Sequence, residues 1–194
     1  MSAATQSARE VEVKYRVHDR AALLAALAAI HGVRLGHQVE QDDQAYAREG
    51  WRYGDSKLGV PFARLRTEAG RHLFTLKRPV ENELSCVEYE TEITDREAMH
   101  HAILAMGFYP TVRIIKTRQT GKCGDLALCL DDVAGVGCFF EVETLAVDDG
   151  SGLVDQDGMH DFVTRLGVSL ERTAATYDSL VHARSANSVM SSAH

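Results

Sequence analysis

The chain is poor in the features that mark membrane, disulfide-bonded and zinc proteins. It has no run approaching the roughly 20 apolar residues that cross a bilayer, and its first residues, "MSAATQSARE", lack the apolar core of a secretion signal. The four cysteines, Cys86, Cys123, Cys129 and Cys138, form no CxxC pair and have no spacing typical of zinc ligands. We therefore expect a cytoplasmic protein with reduced thiols and no membrane partner.

An excess of positive charge is also missing. The sequence has 21 Lys and Arg against 28 Asp and Glu, a net charge of −7. Because a nucleic-acid-binding protein needs a broad basic surface, we expect no nucleic-acid partner. The composition is that of a soluble globular protein, and 194 residues suffice for one domain with its own core. We predict a single domain over residues 1–183 and a disordered polar tail over 184–194.

Short extended segments dominate the chain, and helices are few. The stretch "EVEVKYR" alternates charged and apolar residues, which is typical of a β-strand, and about eight segments have this character. Asp19 is a plausible helix N-cap, Thr94 and Glu97 form a capping-box pattern, residues 69–70 indicate a hairpin, and a short last helix is expected near 177–182. Consecutive strands with short turns predict an α+β fold, an antiparallel sheet or barrel with helices outside.

Charged residues recur at every second position of six strands, with mostly apolar residues between them. In one interpretation these rows are solvated outer faces, joined by cross-strand ion pairs that contribute well under about 1 kcal/mol each. In the other, which we favour, helices rich in Ala and Leu cover the apolar faces and the charges point into a barrel lumen. The rows are Glu10, Glu12 and Lys14; Arg64 and Arg66; Lys77; Glu88, Glu90 and Glu92; Lys116 and Arg118; Asp131; and Glu141 and Glu143.

A lumen that contains both cations and carboxylates is costly to desolvate unless it stays wet or holds a complementary ligand. Arginine and lysine suit phosphate oxygens, and carboxylates suit the hard cations Mg²⁺ and Mn²⁺. The charge pattern therefore predicts a site for a metal-bound polyphosphate.

The order of these motifs resembles that of a known family. After "EVEVK" at 10–14 come "FARLR" at 62–66, "FTLKRP" at 74–79, "EYETE" at 88–92, "VRIIKTR" at 112–118 and "LCLDDVAGVGCFFEVE" at 128–143. The series resembles that of the CYTH superfamily, the triphosphate tunnel metalloenzymes. This group comprises class IV adenylyl cyclases, thiamine triphosphatases and inorganic triphosphatases. The resemblance covers roughly residues 9–182.

The resemblance implies an eight-stranded antiparallel β-barrel, the triphosphate tunnel, with helices packed outside. It implies Mg²⁺ or Mn²⁺ as cofactor, and a catalytic part for Lys14 and Asp131. Glu88 and Glu90 would be either metal-side residues or structural partners of the basic row. The implied phosphate-binding residues are Lys14, Arg64, Arg66, Lys77, Lys116 and Arg118, and the implied metal ligands are Glu10, Glu12, Glu141 and Glu143.

The stretch "MGFYPTVRIIKTRQTG" is similar to the class IV adenylyl cyclase branch, which implies conversion of ATP to cyclic AMP and pyrophosphate. The alternatives are a triphosphatase acting on tripolyphosphate, thiamine triphosphate or a nucleoside triphosphate, and a non-catalytic polyphosphate- or nucleotide-binding module. The expected partner is thus a nucleoside triphosphate or another triphosphate, with a homodimer as a further option. Cys86 stands where the family often has an arginine, so that one phosphate contact is either missing or supplied by Arg78 or Arg113.

Overall fold

The computed structural model describes residues 9–146 and 152–191. Within these residues the chain forms nine strands and four helices in the order β1 (Arg9–Val17), α1 (Arg20–Ala29), β2 (Val39–Arg48), β3 (Phe62–Glu68), β4 (Arg71–Pro79), β5 (Ser85–Ile93), α2 (Arg96–Ala105), β6 (Phe108–Cys123), β7 (Leu126–Val133), β8 (Gly137–Ala146), α3 (Gly152–Arg165), β9 (Leu170–Thr173) and α4 (Tyr177–Ser191).

The first eight strands form a closed antiparallel barrel. They follow one another around it in the order β5-β4-β3-β2-β6-β7-β8-β1. Residues 9–11 of β1 then pair with residues 85–87 of β5 and close the ring. This closure removes the free sheet edges, which would otherwise invite pairing with other chains. The predicted eight-stranded antiparallel barrel is confirmed.

A ninth strand, which we did not predict, pairs with the edge of β1 that also pairs with β5. Residues 170–173 of β9 pair with residues 14–17 of β1, beyond the point where β5 has separated from it. The segment "LERT" is too short to show an alternating pattern, so the sequence gives no signal for it. The strand matters for the position of α4, because it carries the chain along the barrel wall to the start of that helix.

The apolar faces of the strands are covered by helices, as predicted. Val11 and Val13 of β1 are fully buried in a core cluster that also contains Leu23 and Leu27 of α1 and Met159 of α3. Helix α2 covers a second cluster on β2 and β3, and α4 covers a third on β6 to β8. The charged residues between these apolar positions consequently face the interior of the barrel, except Glu92, whose side chain is 57% exposed and does not line the lumen, contrary to the prediction.

Local sequence signals predict several element ends correctly. The backbone N–H of Ala22 donates to the Asp19 carboxylate (2.9 Å), which confirms that N-cap. The hairpin turn at Ala69 and Gly70 is also present, with φ of +48° and +78°. The capping box at α2 was wrong by one residue, because Asp95 accepts the N–H of Ala98 (2.9 Å) and is the N-cap. A carboxylate one position later thus replaces the predicted threonine cap.

Helix α4 is longer than the sequence pattern indicated. It runs to Ser191, so residues 184–191 are helical where we predicted a disordered tail. Leu180 and Val181 pack against the barrel, and the following stretch contains no Gly or Pro that would end the helix. The domain limit at residue 183 stays a prediction. None of the helices within residues 9–146 and 152–191 is long and apolar enough to cross a membrane.

Candidate active site

A cavity of about 470 Å³ occupies the barrel lumen and reaches the first turn of α4. Strand alternation places the charged residues of β1, β3, β4, β5, β6 and β8 on its walls. Every residue that the resemblance assigned to phosphate or metal lines it: Glu10, Glu12, Lys14, Arg64, Arg66, Lys77, Glu88, Glu90, Lys116, Arg118, Glu141 and Glu143. The fold therefore brings these side chains together, while their individual roles stay predictions.

Three carboxylates form a compact cluster that could hold a metal ion. Glu12 of β1 lies opposite Glu143 of β8, and Glu10 is two residues earlier on β1. Within the described residues, one oxygen from each of these three lies within 4.8 Å of the others. Burial raises the pKa of Glu143 to about 8 and also raises that of Glu12. Because a bound cation would offset this cost of buried negative charge, the donor set fits Mg²⁺ or Mn²⁺.

Glu141 lies apart from this cluster. Its carboxylate is 3.0 Å from the ammonium of Lys14 and also accepts a hydrogen bond from Arg118. Burial alone would raise the pKa of Glu141, but the two cations hold it well below its usual range. Glu141 therefore anchors two cations, and its predicted role as a metal ligand stays a prediction.

Asp131 is fully buried and lies behind the cavity wall. Its carboxylate accepts hydrogen bonds from Lys116 (2.8 Å) and from Nε of Arg118 (2.7 Å). Among the residues assigned from the resemblance, it is the one that does not line the cavity. Asp131 therefore positions two lumen cations, and any part that it has in catalysis acts through them.

The pKa of Lys116 shifts in the opposite direction from that of Lys14. Burial and the neighbouring charge of Arg118 lower the pKa of Lys116 to about 8, although Asp131 opposes the change. By contrast, Glu12 and Glu141 outweigh burial and raise the pKa of Lys14 above its usual value. Lys116 is thus a lumen amine that can exchange a proton near neutral pH.

Glu88 and Glu90 lie against cations of the basic row. Lys77 sits between Glu88, with which it forms a close ion pair, and Glu10, 3.5 Å away. Arg64 donates to Glu90 (3.3 Å). This is the arrangement expected of structural partners of the basic row, one of the two roles that the sequence left open.

Asp43 of β2 is a lumen residue that the sequence analysis missed. It accepts a two-pronged hydrogen bond from Arg66, with distances of 2.7 and 2.8 Å, and both side chains are buried. Burial would raise the pKa of Asp43, but Arg66 lowers it to about 2. The alternation of β2, with Asp43 two residues after the buried Gln41, was the signal available in the sequence.

The Asp43–Arg66 pair leads to a prediction about pH. Because the pKa of Asp43 falls from 3.8 to about 2 on folding, its stabilisation is complete above pH ~4 and is lost as the pH falls toward 2. The difference in unfolding free energy between wild type and Asp43→Asn should shrink by roughly 2 kcal/mol over this range. Denaturant unfolding of both proteins at a series of pH values measures this difference. Asp42→Asn, whose partner Arg113 is exposed, should show a smaller change, and a pH-independent difference for Asp43→Asn would contradict the assignment.

The expected substitutes for the missing arginine lie elsewhere. Cys86 does line the cavity, but Arg78 is exposed and Arg113 is bound to Asp42 on the barrel exterior (2.7 Å). Neither arginine can therefore supply the phosphate contact that we expected. The added cation at the cavity is instead Lys57, from the glycine-rich loop between β2 and β3. Its ammonium lies 3.0 Å from the Asp178 carboxylate at the start of α4.

The chain matches the family model of the CYTH domain over residues 8–177. The chain belongs to the CYTH family. The adenylate cyclase CyaB of Aeromonas hydrophila is 30% identical over 162 residues, which are 82% of this chain and 81% of that protein. A Methanocaldococcus jannaschii protein named "Putative adenylate cyclase MJ0240" is 30% identical over 138 residues, 69% of this chain and 75% of that one.

The fold of this CYTH protein is also found in a solved structure. PH1819 from Pyrococcus horikoshii superimposes with a TM-score of 0.76 at 21% identity, covering 90% of this chain and 99% of that one. The likeness supports the barrel assignment. The acidic cluster and the basic lumen agree with the metal-dependent character of the CYTH family.

Proposed function

We propose that this CYTH protein is a metal-dependent enzyme that converts ATP, held in the barrel tunnel, to cyclic AMP and pyrophosphate. One observation carries the proposal: seven lysine and arginine side chains and a three-carboxylate cluster line the same cavity. The cations complement a highly anionic chain of phosphates, and the carboxylates complement the metal ions that accompany it. The two 30%-identical relatives, both named as adenylate cyclases, support the same reaction class.

The buried carboxylates of the site keep its cations in place before a substrate binds. Glu141 holds Lys14 and Arg118, Asp131 holds Lys116 and Arg118, and Asp43 holds Arg66. Fixed charges need no reorganisation when negative charge develops on a phosphoryl group, so they stabilise that charge effectively. These pairs consequently favour catalysis as well as binding.

Glu10, Glu12 and Glu143 would hold Mg²⁺ or Mn²⁺ in this tunnel. Such an ion, when bound, supplies charge neutralisation and polarises phosphoryl oxygens. Lys116, whose ammonium is paired with the Asp131 carboxylate (2.8 Å), binds the phosphates together with Lys14 and Arg118.

Hydrolysis of a triphosphate is the second candidate function. The charged lumen residues complement the phosphate chain, and ATP shares that chain with tripolyphosphate and thiamine triphosphate. The attacking group decides the outcome. A ribose 3′-hydroxyl at the α-phosphorus gives cyclic AMP, and water at the γ-phosphorus gives orthophosphate.

A product assay tests these proposals. We expect that incubation with ATP and Mn²⁺ yields cyclic AMP and pyrophosphate in equal amounts, measured by chromatography. The panel includes GTP, thiamine triphosphate and tripolyphosphate. ADP and orthophosphate without cyclic AMP would establish the hydrolase instead. Tight binding of ATP or tripolyphosphate with no turnover of any compound would establish a binding module and overturn the enzyme proposal.

A further inference from the structure

Tyr177, the first residue of α4, reaches into the tunnel wall. Its ring packs this helix against the barrel, where it contacts Phe139 edge-on, with 5.3 Å between ring centroids. The side chain also lines the tunnel cavity, and the residue is only 9% exposed. The packing role therefore does not account for the whole environment of this side chain.

The ring of Tyr177 lies against two of the lumen cations. The Lys14 ammonium is 4.2 Å from the ring centroid, and the Lys116 ammonium is 4.7 Å from it. Both distances are well within the range of a cation–π interaction. Lys14 is also held by Glu141, and Lys116 by Asp131. The ring is thus a contact that these two ammonium groups share, although they come from different strands.

The hydroxyl group of Tyr177 is buried and, among residues 9–146 and 152–191, has no hydrogen-bond partner. A buried polar group without a partner costs free energy, so its retention needs an explanation. Burial first, and then the charges of Glu141 and Asp131, raise the pKa of Tyr177 well above its usual value. The group therefore remains an O–H, which can donate a hydrogen bond, and it lies among charged groups of the tunnel.

The backbone around Tyr177 is fixed by a buried lysine from another part of the chain. The Lys57 ammonium donates to the hydroxyls of Thr176 (2.5 Å) and Ser179 (2.9 Å) and to the carboxylate of Asp178 (3.0 Å). These partners flank Tyr177 on both sides. The phenol is consequently held in place before any ligand enters, as a preorganised binding group would be.

We propose that Tyr177 is a further triphosphate-binding residue of this site, whose hydroxyl donates a hydrogen bond to a phosphate oxygen and whose ring positions Lys14 and Lys116. The inference rests on the proposed function, because it takes a triphosphate as the ligand. A phosphate oxygen is the acceptor that the buried hydroxyl lacks. Such a charge-assisted hydrogen bond is roughly twice as strong as one between neutral groups.

Two substitutions separate the hydroxyl from the ring. Tyr177→Phe keeps the ring, and we expect it to weaken binding of tripolyphosphate about 10-fold or more, as loss of a hydrogen bond to a charged group does. Tyr177→Leu also removes the contact with the two ammonium groups, and it should weaken binding further. Isothermal titration calorimetry with tripolyphosphate and Mg²⁺ gives both affinities, and circular dichroism checks the fold.

Tyr53 provides the matched control. Its hydroxyl is also buried, but its ring stacks on His182 of α4 (3.7 Å) and does not line the tunnel. Tyr53→Phe should therefore bind tripolyphosphate as the wild type does. Tyr177→Phe should keep the thermal stability of the wild type, because it removes a group with no partner. A purely structural role would lower the stability and leave the affinity unchanged.

The outcomes distinguish this inference from the function on which it rests. If the wild type binds tripolyphosphate and Tyr177→Phe binds it equally well, the hydroxyl assignment is overturned while the proposed function stands. If Tyr177→Leu matches Tyr177→Phe, the positioning role of the ring is overturned. A wild-type protein that binds neither tripolyphosphate nor ATP would overturn the proposed function and this inference together.

Discussion

Replacing both Glu10 and Glu12 by glutamine is expected to abolish turnover while leaving much of the binding of tripolyphosphate. The two carboxylates belong to the three-carboxylate cluster, whereas the cations that we propose as phosphate ligands are separate side chains of the same cavity. Glutamine keeps the size of the side chain and removes the charge that a divalent cation requires. Because the charge stabilisation of the transferred phosphoryl group is then lost, kcat should fall by roughly 10²- to 10³-fold or more.

The experiment compares kcat with ATP and Mn²⁺ against the affinity for tripolyphosphate in the absence of metal. The matched control is the double substitution Glu92→Gln and Glu97→Gln, which removes two carboxylates whose side chains are 57% and 80% exposed. The control should retain the turnover of the wild type. Unchanged turnover in the Glu10 and Glu12 variant would remove the metal assignment from these residues.

Asp131→Asn is expected to destabilise the protein strongly. Asp131 is fully buried, and its substitution leaves the ammonium of Lys116 and the guanidinium of Arg118 in the barrel with a neutral neighbour. Breaking a buried ion pair by removing one partner costs about 3–5 kcal/mol. For a domain of this size, a loss of that magnitude corresponds to a fall in Tm of roughly 10 °C.

Asp132→Asn is a close control, since the adjacent residue carries the same side chain on the exposed face of β7. Thermal unfolding followed by circular dichroism should separate the two variants clearly. Adding Lys116→Met to Asp131→Asn removes one unpaired charge, and we expect it to recover part of the lost stability. Equal Tm values for Asp131→Asn and Asp132→Asn would show that Asp131 does not hold the lumen cations in place.

The barrel could be predicted because each strand carries its own signal. The alternation of apolar and charged residues sets which face of each strand is apolar. Consecutive strands that each need cover on their apolar face are expected to join in one closed sheet. The charged rows were predictable for the same reason. Two charged residues that are two positions apart, such as Arg64 with Arg66 or Lys116 with Arg118, lie on one face of their strand. The sequence therefore indicated the contents of the lumen, although it did not indicate which acid would hold which base.

The residues that were missed carry a weaker signal or none. Asp42 and Asp43 are adjacent and identical, yet one binds Arg113 outside the barrel and the other binds Arg66 inside it. The two residues differ only in the face of β2 on which their side chains lie, because successive side chains of a strand point to opposite faces. Lys57 lies in a loop without periodicity, and four of its polar contacts are with residues at the start of α4, more than 100 residues later in the chain. Long-range contacts of this kind leave no local pattern.

The strand that carries Glu10 and Glu12 is synthesised long before its neighbours in the wall. Glu12 pairs with Glu143, and residues 14–17 pair with residues 170–173, so β1 must wait until residues 137–173 have emerged from the ribosome before it has these partners. Barrels with such high contact order fold slowly. Until then the apolar face of β1 is available to other chains. We expect a nascent-chain chaperone to be most useful to this protein at β1.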